Sequence, residues 1–200
     1  MKIEVQHFPL ENCSGNGGNI LISPDDEKAI ISDRIFSENQ EYGKAELVRE
    51  LDSTLNRSEI IIIPSLESDT TGHADNMVRF LDDQTVLCNE ALESDCLNQQ
   101  LKMTLQYRGF DVLEFPFATA EENGAVGCYI NYLETDEALL LPVFGIDSDA
   151  KAIAAAERIY SKPIEPVMIP EPCRRRRGLV QHQLGNAGSI MREICGGVER

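Results

Sequence analysis

Three segments of this chain run through one order of elements, strand, strand, helix, strand, and this repeat limits the fold more than any other feature. In the first, residues 17–23 and 28–36 flank Pro24, Asp25, Asp26 and Glu27 and read as a hairpin. Residues 44–56 follow, with Leu47, Val48, Leu51 and Leu55 on one helical face. Residues 59–64 are a continuous β-branched run, the composition of a buried strand. The second segment pairs 77–81 with 84–89 around Asp82 and Asp83. It then sets Leu97, Leu101 and Leu105 at helical spacing within 96–108 and closes with a short strand at 111–116. The third pairs 128–134 with 137–145 around Thr135 and Asp136. Its helix, 150–162, turns Ile153, Ala156 and Ile159 inward; the last strand, 163–170, carries prolines that weaken the assignment.

A single such unit cannot bury its own hydrophobic face, so neighbouring units must stack. The expectation is a pseudo-symmetric α/β assembly with blades over residues 15–65, 76–115 and 127–169. An ordinary α/β sandwich of similar pieces is the alternative. Hydrophobic residues make up 42% of the 200, enough for a real core.

The formal charge of −16 disfavours nucleic acid and anionic membranes as partners and suits a cationic one, although acidic chains are often simply soluble. No apolar run is long enough to span a bilayer, and the first residues lack a signal-peptide core, so a cytoplasmic location is expected. The cysteines at 13, 88, 96, 128, 173 and 195 form no CxxC pair or Cys/His cluster, and neither a metal nor a cofactor is expected. Residues 1–172 read as one domain; residues 173–200, with six Arg and two Glu, form an atypical basic tail.

Three places carry polar groups that suit chemistry. His73 and Asp75 lie two apart before the second hairpin; in an extended segment they would point the same way. A histidine can move protons near neutral pH, and the carboxylate can hold a cation or raise the histidine pKa. A structural histidine in a turn is the plainer reading. Asn16, Gly17, Gly18 and Asn19 permit close backbone approach to a ligand or form an ordinary turn. Asn131 stands among strand residues and either faces solvent or serves a site.

Taken in order, Gly17-Gly18-Asn19-Ile20, the stretch 31–36, the block 72–80, Asn131-Tyr132-Leu133 and the stretch 141–145 resemble the agmatine deiminase and Porphyromonas-type peptidylarginine deiminase family over roughly residues 10–170. The resemblance implies a pentein-type fold, a five-bladed α/β propeller of ββαβ units, of which about three are present. It also implies attack of a cysteine thiolate on a guanidinium carbon, loss of ammonia and hydrolysis to a ureido product. His73 would then be the general acid/base, Asp75 a carboxylate gripping the guanidinium, and Asn131 and Asn16 would line the site. The substrate would be agmatine or peptidyl arginine. Homo-oligomer formation is left open.

The sequence also departs from the family pattern. Asn16 stands where an acidic residue is usual, and an N-terminal Arg-Asp motif has no counterpart. The nearest match to the nucleophile motif puts Arg192 at the cysteine position, with Cys195 three residues on. Three hypotheses follow: an active deiminase, a binding or vestigial protein that keeps part of the pocket, and a fragment whose missing blades come from another chain or were lost. Little or no turnover is expected of the isolated chain.

Overall fold

A computed structural model describes residues 17–65, 72–90, 96–118 and 128–169. Strands β1 (Ile20–Ile22) and β2 (Lys28–Ser32) pair antiparallel, and β3 (Glu59–Ile63) joins β2 in parallel. The helices α1 (Arg34–Glu38) and α2 (Lys44–Leu55) lie between β2 and β3. The second sheet repeats this with β4 (Val78–Phe80), β5 (Thr85–Asn89) and β6 (Asp111–Phe115), crossing over through α3 (Cys96–Tyr107). The third has β7 (Leu133–Glu134), β8 (Leu139–Val143) and β9 (Ile164–Met168), crossing over through α4 (Ser148–Ile159). The chain therefore folds as three ββαβ units, each an antiparallel hairpin extended by one parallel strand.

Local chemistry marks the helix ends. The Glu46 carboxylate reaches back to the Gly43 N–H at the start of α2, and Asn56 takes a left-handed conformation (φ 50°) at its end. Gly109 (φ 85°) ends α3, and the Phe110 N–H returns to the Leu105 carbonyl. Before α4, the Asp149 carboxylate gathers the N–H groups of Phe144, Gly145 and Ile146 and accepts the Tyr129 hydroxyl. Burial works against its charged form, yet these donors outweigh it and hold the carboxyl below the usual range.

The units stack through their helices. One core cluster joins Ile30, Ile61 and Ile63 of the first sheet to Leu101 and Leu105 of α3 and to Val86 and Cys88 of the second sheet. A second joins Leu87 and Phe115 to Ala152, Ala155 and Ala156 of α4 and to Leu139 and Leu141. Each of these helices is thus packed against its own sheet and the one before.

Several expectations need correction. The second strand of the first hairpin stops at Ser32 rather than continuing to Phe36. Asp33 turns the chain there: its N–H bonds the Ile63 carbonyl and its carboxylate accepts the Ser65 N–H. The short helix α1 follows and buries Ile35. In the third hairpin only Leu133–Glu134 are strand, while Tyr129 and Ile130 form a buried turn whose tyrosine is claimed by Asp149 and Phe144. Helix α4 starts two residues earlier and ends three residues earlier than its apolar spacing indicates. It is Ala152, Ala155 and Ala156 that are fully packed, with Ile153 and Ile159 at the margin. The proline-bearing strand does form: among the described residues β9 pairs with β8 alone, so Pro166 can stand where no ladder donor is needed. The basic tail, Asn16, Arg192 and Cys195 lie outside the described residues.

Candidate functional site

The segment joining β3 to β4 carries the densest polar chemistry. Gly72 takes φ 59°, and a β-carbon there would press on Ser65 at 3.2 Å, so glycine is strongly favoured. His73 then adopts an extended backbone (φ −77°, ψ 147°) and caps a single 3-10 turn, Ala74–Asn76. The segment is therefore not extended throughout, as the spacing of His73 and Asp75 suggests. The 3-10 turn nevertheless leaves both side chains facing one point, the space beside Gly18.

Gly18 shows how close they come. A β-carbon on Gly18 would lie 2.6 Å from Asp75 Oδ2 and 2.9 Å from His73 Nδ1. Both polar atoms thus crowd the space of one absent methyl group. The glycine of the first unit makes room for the polar pair of the second, which explains its residue type better than turn formation alone. His73 is 5% exposed, and Asp75 is half-buried.

The main chain around the pair is held from three sides. Ser32 Oγ donates to the Gly72 carbonyl at 2.5 Å. Asn19 Oδ1 accepts the Ala74 N–H at 3.3 Å and the Ser32 N–H at 3.1 Å. Asn89 Nδ2 donates to the Asn76 carbonyl at 2.7 Å. From the third unit, Asn131 Nδ2 donates to Asn76 Oδ1 at 2.6 Å and lies 3.8 Å from Cys128 Sγ, which itself contacts the Asn76 carbonyl. His73, Asp75 and Asn131, picked out in the sequence, are brought to one region. Asn19, Ser32, Asn76 and Asn89 complete it. The sequence holds one clue to Ser32 and Asn89: each is a polar residue that follows three apolar ones at the end of a strand, and the fold buries both.

Chemically, the arrangement offers a proton-transfer group beside a carboxylate, with amides around them. Such a set can receive a planar, donor-rich cation. Among the described residues no group of three or more His, Cys, Asp or Glu is placed to hold a metal ion, and no helix is long and apolar enough to cross a membrane. An open groove on the outer face of α3, lined by Cys96, Met103, Tyr107 and Arg108 among others, shares no residue with this region.

The sequence profile of the Porphyromonas-type peptidyl-arginine deiminases matches residues 4–174. The chain belongs to that family. No curated protein matches it in sequence. Among solved structures it is similar to the agmatine deiminase of Enterococcus faecalis, at 16% identity and a TM-score of 0.69, over 84% of this chain and 55% of that one. A C. jejuni agmatine deiminase with substrate bound is similar at 23% identity and a TM-score of 0.66, over 80% and 52%. The putative arginine deiminase of Porphyromonas gingivalis is similar at 21% identity and a TM-score of 0.65, over 82% and 53%. These likenesses establish the pentein-type α/β fold. The chain spans about half the length of each of the three, 55%, 52% and 53%.

Proposed function

We propose that the region around His73 and Asp75 is a guanidinium site, and that the chemistry it serves is hydrolysis of a guanidine C–N bond with release of ammonia. The observation that carries this reading is that His73 Nδ1 and Asp75 Oδ2 both border the space beside Gly18, 2.9 and 2.6 Å from where a β-carbon on that glycine would lie. A carboxylate accepts paired N–H groups from the planar guanidinium and fixes the plane of the carbon. A thiolate then adds to that carbon. His73 gives a proton to the departing ammonia and afterwards takes one from the water that breaks the C–S bond, freeing the ureido product and the thiolate. Asn131 lines the pocket. Family membership and the charge of −20 on residues 1–172, taken as −16 less the +4 of residues 173–200, support a cationic substrate, agmatine or peptidyl arginine. The same reading places the blades around one axis with this region at the centre, and sets residues 173–200 apart as a basic tail. Cys88 and Cys96 carry free thiols, which supports the reading of a cytoplasmic protein.

A second reading rests on Arg192. An arginine at the position matched to the nucleophile cannot act as a thiolate, so the chain binds the guanidinium without turning it over unless Cys195 takes that part. Calorimetric titration with agmatine, beside an ammonia-release assay on the wild type and Cys195→Ala, decides between them. Binding without ammonia release supports the second reading. Turnover abolished by Cys195→Ala supports the first. Absence of binding both to agmatine and to an arginine peptide titrated in the same way, or binding unaltered by Asp75→Asn, removes the guanidinium site altogether.

A further inference from the structure

Asn19 and Asn89 are 0% and 3% exposed, and each spends one end of its amide on the turn that carries Asp75. The partners fix which end is which. Asn19 accepts two backbone N–H groups through Oδ1, from Ala74 and Ser32, so its other end is the NH2 group. Asn89 donates to the Asn76 carbonyl, so its other end is the carbonyl oxygen. Asn19 Nδ2 and Asn89 Oδ1 are buried and have no hydrogen-bond partner among the described residues. Leaving a buried polar atom unpaired carries a desolvation cost that cancels much of what the paired end contributes to stability. Residues kept for stability alone would satisfy both ends or be apolar.

What the paired ends accomplish is geometric. Ser32 holds the carbonyl of Gly72, Asn19 holds the N–H of Ala74, and Asn89 holds the carbonyl of Asn76. The alternate residues between these anchors are His73 and Asp75. We infer that Asn19 and Asn89 are positioning residues, which clamp the main chain on either side of Asp75 and so set where His73 and Asp75 stand against a bound guanidinium. The consequence for ligand binding rests on the guanidinium reading given above; the clamp itself does not. Displacement of such groups by about 1 Å is enough to cost about a hundredfold in a reaction they serve.

The test uses the full chain and three readouts: thermal melting, the His73 imidazole signals in a proton–nitrogen NMR spectrum, assigned with His73→Gln, and agmatine affinity by calorimetry. Asn19→Leu and Asn89→Leu remove the clamps at similar volume. Both are expected to shift the His73 signals and to weaken agmatine binding about tenfold or more while the chain still melts cooperatively. Asn19→Asp keeps an acceptor for Ala74 and Ser32 and should return the His73 signals toward their wild-type positions. Should a leucine variant not fold, Asn19→Ser and Asn89→Ser, which shorten the reach but stay polar, take its place with the same readouts. Variants that melt earlier yet leave the His73 signals and agmatine affinity unchanged would assign the amides to stability alone and overturn the inference. Wild-type chain that binds neither agmatine nor an arginine peptide, with His73 signals that still follow the variants, would sink the guanidinium reading and leave the clamp standing.

Discussion

Asn131 Nδ2 donates to Asn76 Oδ1 across 2.6 Å, joining the third unit to the turn that carries Asp75 in the second. Asn19 Oδ1 makes the corresponding link from the first unit, to the Ala74 N–H of the same turn. The candidate site is therefore built where three repeats meet, and each repeat contributes an asparagine.

The link from Asn131 has a measurable strength. Replacing it with leucine leaves Asn76 Oδ1 without this donor and should lower unfolding stability by about 1–2 kcal/mol. Urea denaturation of Asn131→Leu beside the wild type checks this; a midpoint that does not move would show that the contact carries no net energy.

Gly18→Ala addresses the site directly. The new β-carbon would sit 2.6 Å from Asp75 Oδ2 and 2.9 Å from His73 Nδ1, so one or both must move away. Agmatine affinity should fall by about tenfold or more, while far-ultraviolet circular dichroism stays that of the wild type. Unchanged affinity would mean that the two side chains shift without loss and that their proximity to Gly18 is incidental.

Asp149 sets an acid limit on the third unit. Its carboxyl titrates below the ordinary range, burial being outweighed by the donors around it, so its contribution is present above the unfolded-state pKa and is lost as pH falls through the lower folded-state value. Asp149→Asn should melt earlier than the wild type at pH 7, by about 1–3 kcal/mol of stability. The gap between the two should close as the pH drops below about 4. Thermal melts of both proteins across that range provide the measurement; a constant gap would show that the charge is immaterial.

Thiol reactivity should separate two cysteines. Burial pushes the Cys88 thiol up to about 11, against a smaller opposing pull from Lys102, whereas Cys96 is exposed at the start of α3. Brief treatment of the folded protein with iodoacetamide at pH 8 should label Cys96 and spare Cys88, as read by peptide mass spectrometry. Equal labelling would show that the second sheet opens readily.

The ββαβ order was legible in the sequence because it rests on spacing. Leu47, Leu51 and Leu55 announce α2, and Leu101 and Leu105 announce α3, with the same residues buried in the fold. His73, Asp75 and Asn131 were singled out through their resemblance to the family, and the fold brings them to one region. What spacing could not convey is where a strand yields to a side chain that captures the backbone. Asp33 stops β2, and Asp149 draws α4 forward, each by accepting main-chain N–H groups that no periodicity records. The amides of Asn19 and Asn89 were hidden for the same reason, since an asparagine beside a strand looks alike whether it meets water or a buried carbonyl.

The sharing of α3 between two sheets also bears on how the chain emerges from a ribosome. Ile30, Ile61 and Ile63 belong to the first unit, yet the surface that covers them includes Leu101 and Leu105, which are translated later. Until α3 has left the exit tunnel, the completed first sheet presents bare isoleucines to its surroundings, and a growing polypeptide in that interval is a natural client for chaperones. Nascent chains stalled just before Cys96 should therefore be cut by protease within the first unit, and chains stalled far enough beyond Phe115 for α3 to have cleared the tunnel should resist.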